Sequence, residues 1–234
     1  MQKLFFLFSI LALSIFSLKP NHAKEETSLF EEKIFTVTSE QDYIKKGTLR
    51  WAILEAKAWR QGHPFSKVRI RFDASVKRLR ISQGPLPDLE SGMTTLDCSH
   101  PEGRVLLEGY SEDILTKADL GLRISSSGNT ILSCHWTGFH QGAIEILAPR
   151  NQIYNNVFGY DPQYEESKAL GNLRYGEPKP NRGAGLLLGE GAWASHIENN
   201  HFVALGASGI LLKNRVGGEN QFFKNYFFQN QAEP

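Results

Sequence analysis

The sequence predicts an all-β fold: a parallel β-helix, a solenoid of coils of about 22 residues, with an N-terminal amphipathic capping helix. Three observations carry that expectation. A motif recurs through the second half of the chain, written GNTILSCHW, RNQIYNNVF, ASHIENNHF and ENQFFKNYF. A short alternating strand precedes each copy, as GLRIS, AIEIL, GLLLG and GILLK. The stretch GTLRWAILEAKAWRQG (47–62) follows the period of a helix instead.

Taken in order, the chain opens on MQKLFFLFSILALSIFSLKPNHA (1–23), with Lys3 ahead of an apolar and serine run from Leu4 to Leu18. That is the build of a secretory signal peptide, too short for a comfortable membrane span. Cleavage is expected after Ala23, although Asn21 is a poor match to the small residue that such a site favours. No Cys follows to take a lipid anchor. The mature chain, 24–234, is expected to be one exported domain (periplasmic, cell-surface or extracellular) with no membrane span.

In the helical stretch, Leu49, Ala52, Ile53, Ala56 and Trp59 share a face, and Thr48 is placed to cap it. The first coil of a solenoid leaves an open core and unpaired strand edges, which such a helix would cover. VRIRF, RLRIS, TTLDC and RVLLE then alternate apolar with charged residues, as strands with one buried face do.

The clearest coils run from 121 to 230. Aligning the motif puts Ile131, Ile153, Ile197 and Phe222 in one column, at steps of 22, 44 and 25 residues. Cys134, Asn156, Asn200 and Asn225 form a second column, and Trp136, Phe158, Phe202 and Phe227 a third. Two strands per coil, broken by Gly and Asn, suit a parallel β-helix. The asparagine column is expected to turn inward at a corner, where a ladder of side-chain amides can satisfy buried backbone groups, with Cys134 at its start. A leucine-rich repeat has a similar period but needs L-x-x-L-x-L-x-x-N, and that run is absent. The doubled step holds an insertion, 159–182. At the far end only Gln229–Pro234 follows the last motif, too little to cover the cross-section of a coil. Further coils in a longer chain are expected there, or else end-to-end self-association.

The balance of 26 Lys and Arg against 25 Asp and Glu gives a net charge of +1, and no basic stripe argues for nucleic acid. Export permits a disulfide between Cys98 and Cys134. Cys98 follows TTLD in an early strand, however, while Cys134 sits in a corner column. They read as different phases of the coil and are expected to stay unbridged, as buried thiols.

GTLRWAILEA, VRIRFDASV, LRISQGPLPDL and TTLDCSHPEGRVLLEG together resemble the opening of right-handed parallel β-helix proteins of the pectin-lyase-like superfamily. Exported bacterial repeat proteins and pectate lyases share that opening. NQIYNNVFGYDPQ, ALGN and GAGLLLG are similar to the repeat proteins, and the resemblance runs from about Phe35 to Asn230. It implies the fold, and it implies activity only where carboxylates converge. The family's lyases use a basic residue and calcium held by clustered Asp; its hydrolases use grouped Asp. This chain departs from both patterns, because Asp161 is the sole Asp from Gly121 to Pro234.

No catalytic residues, metal ligands or cofactor are assigned from the sequence. Glu145 and Glu198 are expected to face outward on different strands, and His135, His140, His196 and His201 read as surface or turn residues. Arg123, Arg150, Arg174 and Arg182 are of a type that meets a carboxylate. The candidate ligand site is the insertion and its neighbour, with Tyr160, Tyr164, Arg174, Tyr175, Arg182 and Trp193, since aromatic faces and guanidinium groups grip sugars. The insertion is expected to fold over the wall that bears Leu187 and Leu211. The expected function is an exported binding or structural module with a glycan ligand. The alternative is a carbohydrate-active enzyme, a polysaccharide lyase or hydrolase with a non-standard site.

Overall fold

The computed structural model describes residues 32–109, 119–159, 181–213 and 215–231. These residues are predominantly β, in long parallel sheets with one helix. In chain order they form β1 (Glu32–Val37), α1 (Leu49–Gly62), β2 (Lys67–Phe72), β3 (Arg78–Arg80) and β4 (Thr94–Asp97). A small hairpin, β5 (Ser99–His100) and β6 (Gly103–Arg104), leads to β7 (Leu106–Glu108). Next come β8 (Leu120–Ile124), β9 (Thr130–Leu132), β10 (His135–Thr137), β11 (Gly142–Ile146), β12 (Gln152–Tyr154) and β13 (Val157–Gly159). The last six are β14 (Ala184–Leu188), β15 (His196–Glu198), β16 (His201–Val203), β17 (Ile210–Leu212), β18 (Gln221–Phe223) and β19 (Tyr226–Phe228).

Three parallel sheets result. The first runs β1-β2-β4-β9-β12-β15-β18, the second β3-β7-β10-β13-β16-β19, and the third β8-β11-β14-β17. From β8 onward each pass of the chain visits the third, first and second sheets in that order. The register follows the sequence columns. Ile131 lies beside Ile153, then Ile197, then Phe222, and Trp136 lies beside Phe158, Phe202 and Phe227. Phe158, Phe202 and Phe227 stack with ring centroids 4.9 Å apart, the spacing of neighbouring strands. One core cluster includes these inward columns up to Ile197 and Phe202, with Leu49, Ala52, Ile53 and Ala56 of α1 and Val37, Val68 and Ile70. Thr48 caps α1, its hydroxyl accepting from the Trp51 N–H. Arg50 is also buried, paired with Asp42 at 2.5 Å and donating to the Pro85 carbonyl.

The corner between first and second sheets is short. Ser133, Asn155, Asn199 and Lys224 take φ of 50–55°, a left-handed conformation that turns the chain in a single residue. The residues after them are Cys134, Asn156, Asn200 and Asn225. Cys134 N–H donates to Asn156 Oδ1 at 2.9 Å, and the Asn156 side chain donates to Asn200 Oδ1 at 3.0 Å. Asn200 does the same to Asn225 at 3.0 Å. Each amide also donates to a carbonyl one pass earlier: Asn156 to Ile131, Asn200 to Ile153 and Asn225 to Ile197. A second ladder lies at the corner leading from third to first sheet. There Thr94 N–H donates to Asn129, Asn129 to Asn151, Asn151 to Ser195 and Ser195 to Asn220. Asn181 and Asn230 serve the remaining corner, accepting from Phe139 and Leu205 N–H.

The cysteines correct the sequence expectation. Cys98 and Cys134 form a disulfide, with Cα atoms 4.8 Å apart. β4 pairs with β9 so that Asp97 faces Leu132, and Cys98 N–H donates to the Leu132 carbonyl. Cys98 therefore occupies the same corner as Cys134, one pass earlier. Its phase was hidden because its pass lacks the extra left-handed residue and continues into the β5–β6 hairpin, not into a copy of the motif.

Candidate functional site

Tyr160, Tyr164, Arg174 and Tyr175 lie outside the described residues, as does most of the expected insertion. Arg182 and Trp193 are described, and the structure sets them on opposite sides of β14, Arg182 ahead of its start and Trp193 in the corner after its end. Arg182 is exposed beside a groove of about 440 Å³ that Asn181, Leu205 and Gly206 help to line. Its backbone N–H donates to the Phe139 carbonyl.

Trp193 sits at the corner between third and first sheets. It is 38% exposed, and the Arg150 guanidinium lies over its ring at 5.1 Å from the centroid. Gly217 packs so close that an added Cβ would fall 2.4 Å from the Trp193 Cβ. The indole is thus held between a cation and a bare backbone while still reaching solvent. An open groove of about 480 Å³ lies at the same corner, lined by Leu147, Gly189, Glu190, Leu211, Leu212 and Lys213.

On the outer face of the third sheet, Arg123, Glu145, Leu187 and Leu211 occupy one column. Glu145 faces outward, yet its side chain is only 8% exposed because two cations close over it. Arg123 Nε donates to one carboxylate oxygen at 2.8 Å, and Lys213 Nζ donates to the other. Burial pushes the Glu145 carboxyl up, but these bonds outweigh it and hold the group below the usual carboxylate range. Asp88 lies 3.9 Å from Arg123, and burial raises its carboxyl. Leu187 is buried in a small separate cluster with Leu120 and Ala184.

The outer face of the first sheet carries two columns that sequence reasoning did not assemble. One holds Thr130, Gln152, His196 and Gln221; the other holds Leu132, Tyr154, Glu198 and Phe223. Both flank the inward Ile131–Ile153–Ile197 column, so their strand phase could have found them. The two nitrogens of the His196 ring meet Glu198 Oε2 at 2.9 Å and Gln221 Oε1 at 3.1 Å. The Tyr154 ring lies 5.4 Å from the His196 ring. Burial, and the nearby Glu198 charge after it, raise the Tyr154 hydroxyl above the ordinary phenol range, so it stays a neutral donor.

The other histidines are placed differently. His135 is buried rather than at the surface, its Nε2 2.9 Å from the Gly159 carbonyl. The His201 ring lies 5.5 Å from Tyr226. Glu108, 2% exposed, is neutralised by Arg78 and Arg80. Among the described residues no group of three or more His, Cys, Asp or Glu is placed to hold a metal ion, and no helix is long and apolar enough to cross a membrane. No protein-family model matches the chain, and no curated protein matches it in sequence.

Proposed function

We propose that this chain is an exported module that binds a glycan at the corner bearing Trp193, on a right-handed parallel β-helix of the pectin-lyase-like kind. The rotation of the chain through three parallel sheets and the asparagine ladders at their corners support the fold reading. Under it, α1 serves as the cap of the first coil. The signal-like segment 1–23 and the Cys98–Cys134 disulfide support export, since such bridges persist in oxidising compartments.

The observation that carries the glycan reading is the exposed Trp193 ring, held under the Arg150 guanidinium at the corner between the third and first sheets. An indole face packs on the C–H surface of a sugar ring, and nearby polar groups fix its hydroxyls. A second reading, a carbohydrate-active enzyme, draws on the His196–Glu198 pair, which has the geometry of a base oriented by a carboxylate. It sits on an open strand face away from the other carboxylates, so binding is preferred. Titration of the full chain with soluble polysaccharides, followed by tryptophan emission, tests the proposal. Binding weakened about tenfold or more by Trp193→Ala is expected. Unchanged affinity in that variant would remove Trp193 from the site.

A further inference from the structure

We propose that the outer face of the first sheet across β12, β15 and β18 binds uncharged hexose units, so that the glycan is a neutral polysaccharide and not a polyuronate. This rests on the glycan-binding reading above and names the ligand class. The patch starts three residues beyond Trp193, where the corner enters β15 at His196.

Its hydrogen-bonding groups are already sorted. Thr130 donates to Gln152 Oε1 at 3.3 Å, and Gln221 Oε1 faces His196. With its oxygen engaged, Gln152 presents its amide N–H groups outward as donors, while a neutral His196 that donates to Glu198 takes a hydrogen bond from the Gln221 amide, which keeps its second polar atom outward. One oxygen of Glu198 is taken by His196, and the other makes no hydrogen bond among the described residues. The Tyr154 hydroxyl likewise makes none among them, although its ring is fixed beside His196. Two glutamine amides, a carboxylate acceptor between them and a phenol beside an imidazole ring match the alternating hydroxyls and C–H faces of a hexose.

The charge at the centre decides between neutral and acidic sugars. Glu198 is the anion of the patch, and a uronate carboxylate placed there would meet it. Cations at the rims are already engaged: Arg150 on Trp193, Lys224 4.9 Å from the centroid of the Phe223 ring, and Arg104 donating to the backbone and side-chain oxygens of Asn155. On the same sheet face Arg69 lies three strands from β12 and is paired with Glu32 and Asp97. On the third sheet, Arg123 and Lys213 are committed to Glu145.

The test is calorimetric titration of the full chain with cellohexaose, maltohexaose and mannohexaose as neutral probes and hexagalacturonate as the acidic one. A neutral probe is expected to bind, and Tyr154→Ala and Glu198→Ala should each weaken it about tenfold or more. Hexagalacturonate should bind the wild-type chain about tenfold more weakly, and Glu198→Gln should remove that difference. Neutral binding untouched by the Tyr154 and Glu198 variants but lost in Trp193→Ala would overturn this inference and leave the glycan reading standing. Preference of the wild-type chain for hexagalacturonate would also overturn it. Failure of every probe to bind would overturn both.

Discussion

The residues that decide most are those that close corners. Asn200 receives N–H and amide donation from Asn156 and gives its own amide to Asn225 and to the Ile153 carbonyl. Replacing it with Leu strands several buried polar groups, and a loss of about 1–3 kcal/mol in urea unfolding is expected. Gly185 shows a different constraint. A methyl there would fall 2.6 Å from a ring carbon of Phe202, inside the aromatic stack. Gly185→Ala should cost about 1–3 kcal/mol by overpacking, measured the same way. The Asn156–Asn200–Asn225 spacing is legible in the sequence because three columns repeat together. The second ladder was equally available, since Asn129, Asn151, Ser195 and Asn220 each precede the inward column by two residues. It was harder to see because a serine replaces one amide. Cys98 was unreadable for a related reason: a residue inserted at a corner shifts the count without shifting the position in space.

Among elements, the disulfide joins the segment after β4 to the segment after β9 and closes a separation of 36 residues. Chain entropy then predicts a contribution of about 3–4 kcal/mol. Thiol titration in denaturant should find no free thiol before reduction and two after it. The Cys98→Ser, Cys134→Ser double variant should unfold at correspondingly lower urea. Between β8, β11 and the end of β17, the Arg123–Glu145–Lys213 network gives stability a pH dependence. Glu145 is held below its unfolded value, so its contribution is present above the ordinary glutamate range and is lost as pH falls through the folded value. Asp88 is raised and works in the opposite direction. Glu145→Gln should therefore flatten part of the acid-side loss of stability, with a larger loss at neutral pH than at the foot of that limb, where the wild-type chain has already given up the contribution. The aligned strands GLRIS and AIEIL put Arg123 and Glu145 at one position, but the part of Lys213 was not visible beforehand. Lys213 lies 68 residues from Glu145, and only the stacking of β8, β11, β14 and β17 brings them together.

At the scale of the molecule, the repeat explains why strand type, order and register could be read while the site could not. A column of like residues announces itself by period; a site made of unlike residues from three passes, such as Tyr154, His196 and Gln221, does not. Trp193 was singled out as an aromatic beside the insertion, yet its partner in the structure is Arg150 from the preceding pass. The last strands, β17, β18 and β19, carry Leu211, Phe222, Phe223, Tyr226 and Phe227 at 44–52% exposure. Such edges and rings favour pairing with another chain. Sedimentation of residues 24–234 over a range of concentrations should show self-association that Phe223→Lys weakens; a monomer throughout would count against pairing. The central claim is that this surface holds glycan without transforming it. The most direct measurement is a polysaccharide array incubated with the wild-type chain, scored together for retained protein and for unsaturated or reducing products. The account predicts retention on neutral polysaccharides with no product accumulating over time. Steady release of product, or no retention on any polysaccharide, would contradict it.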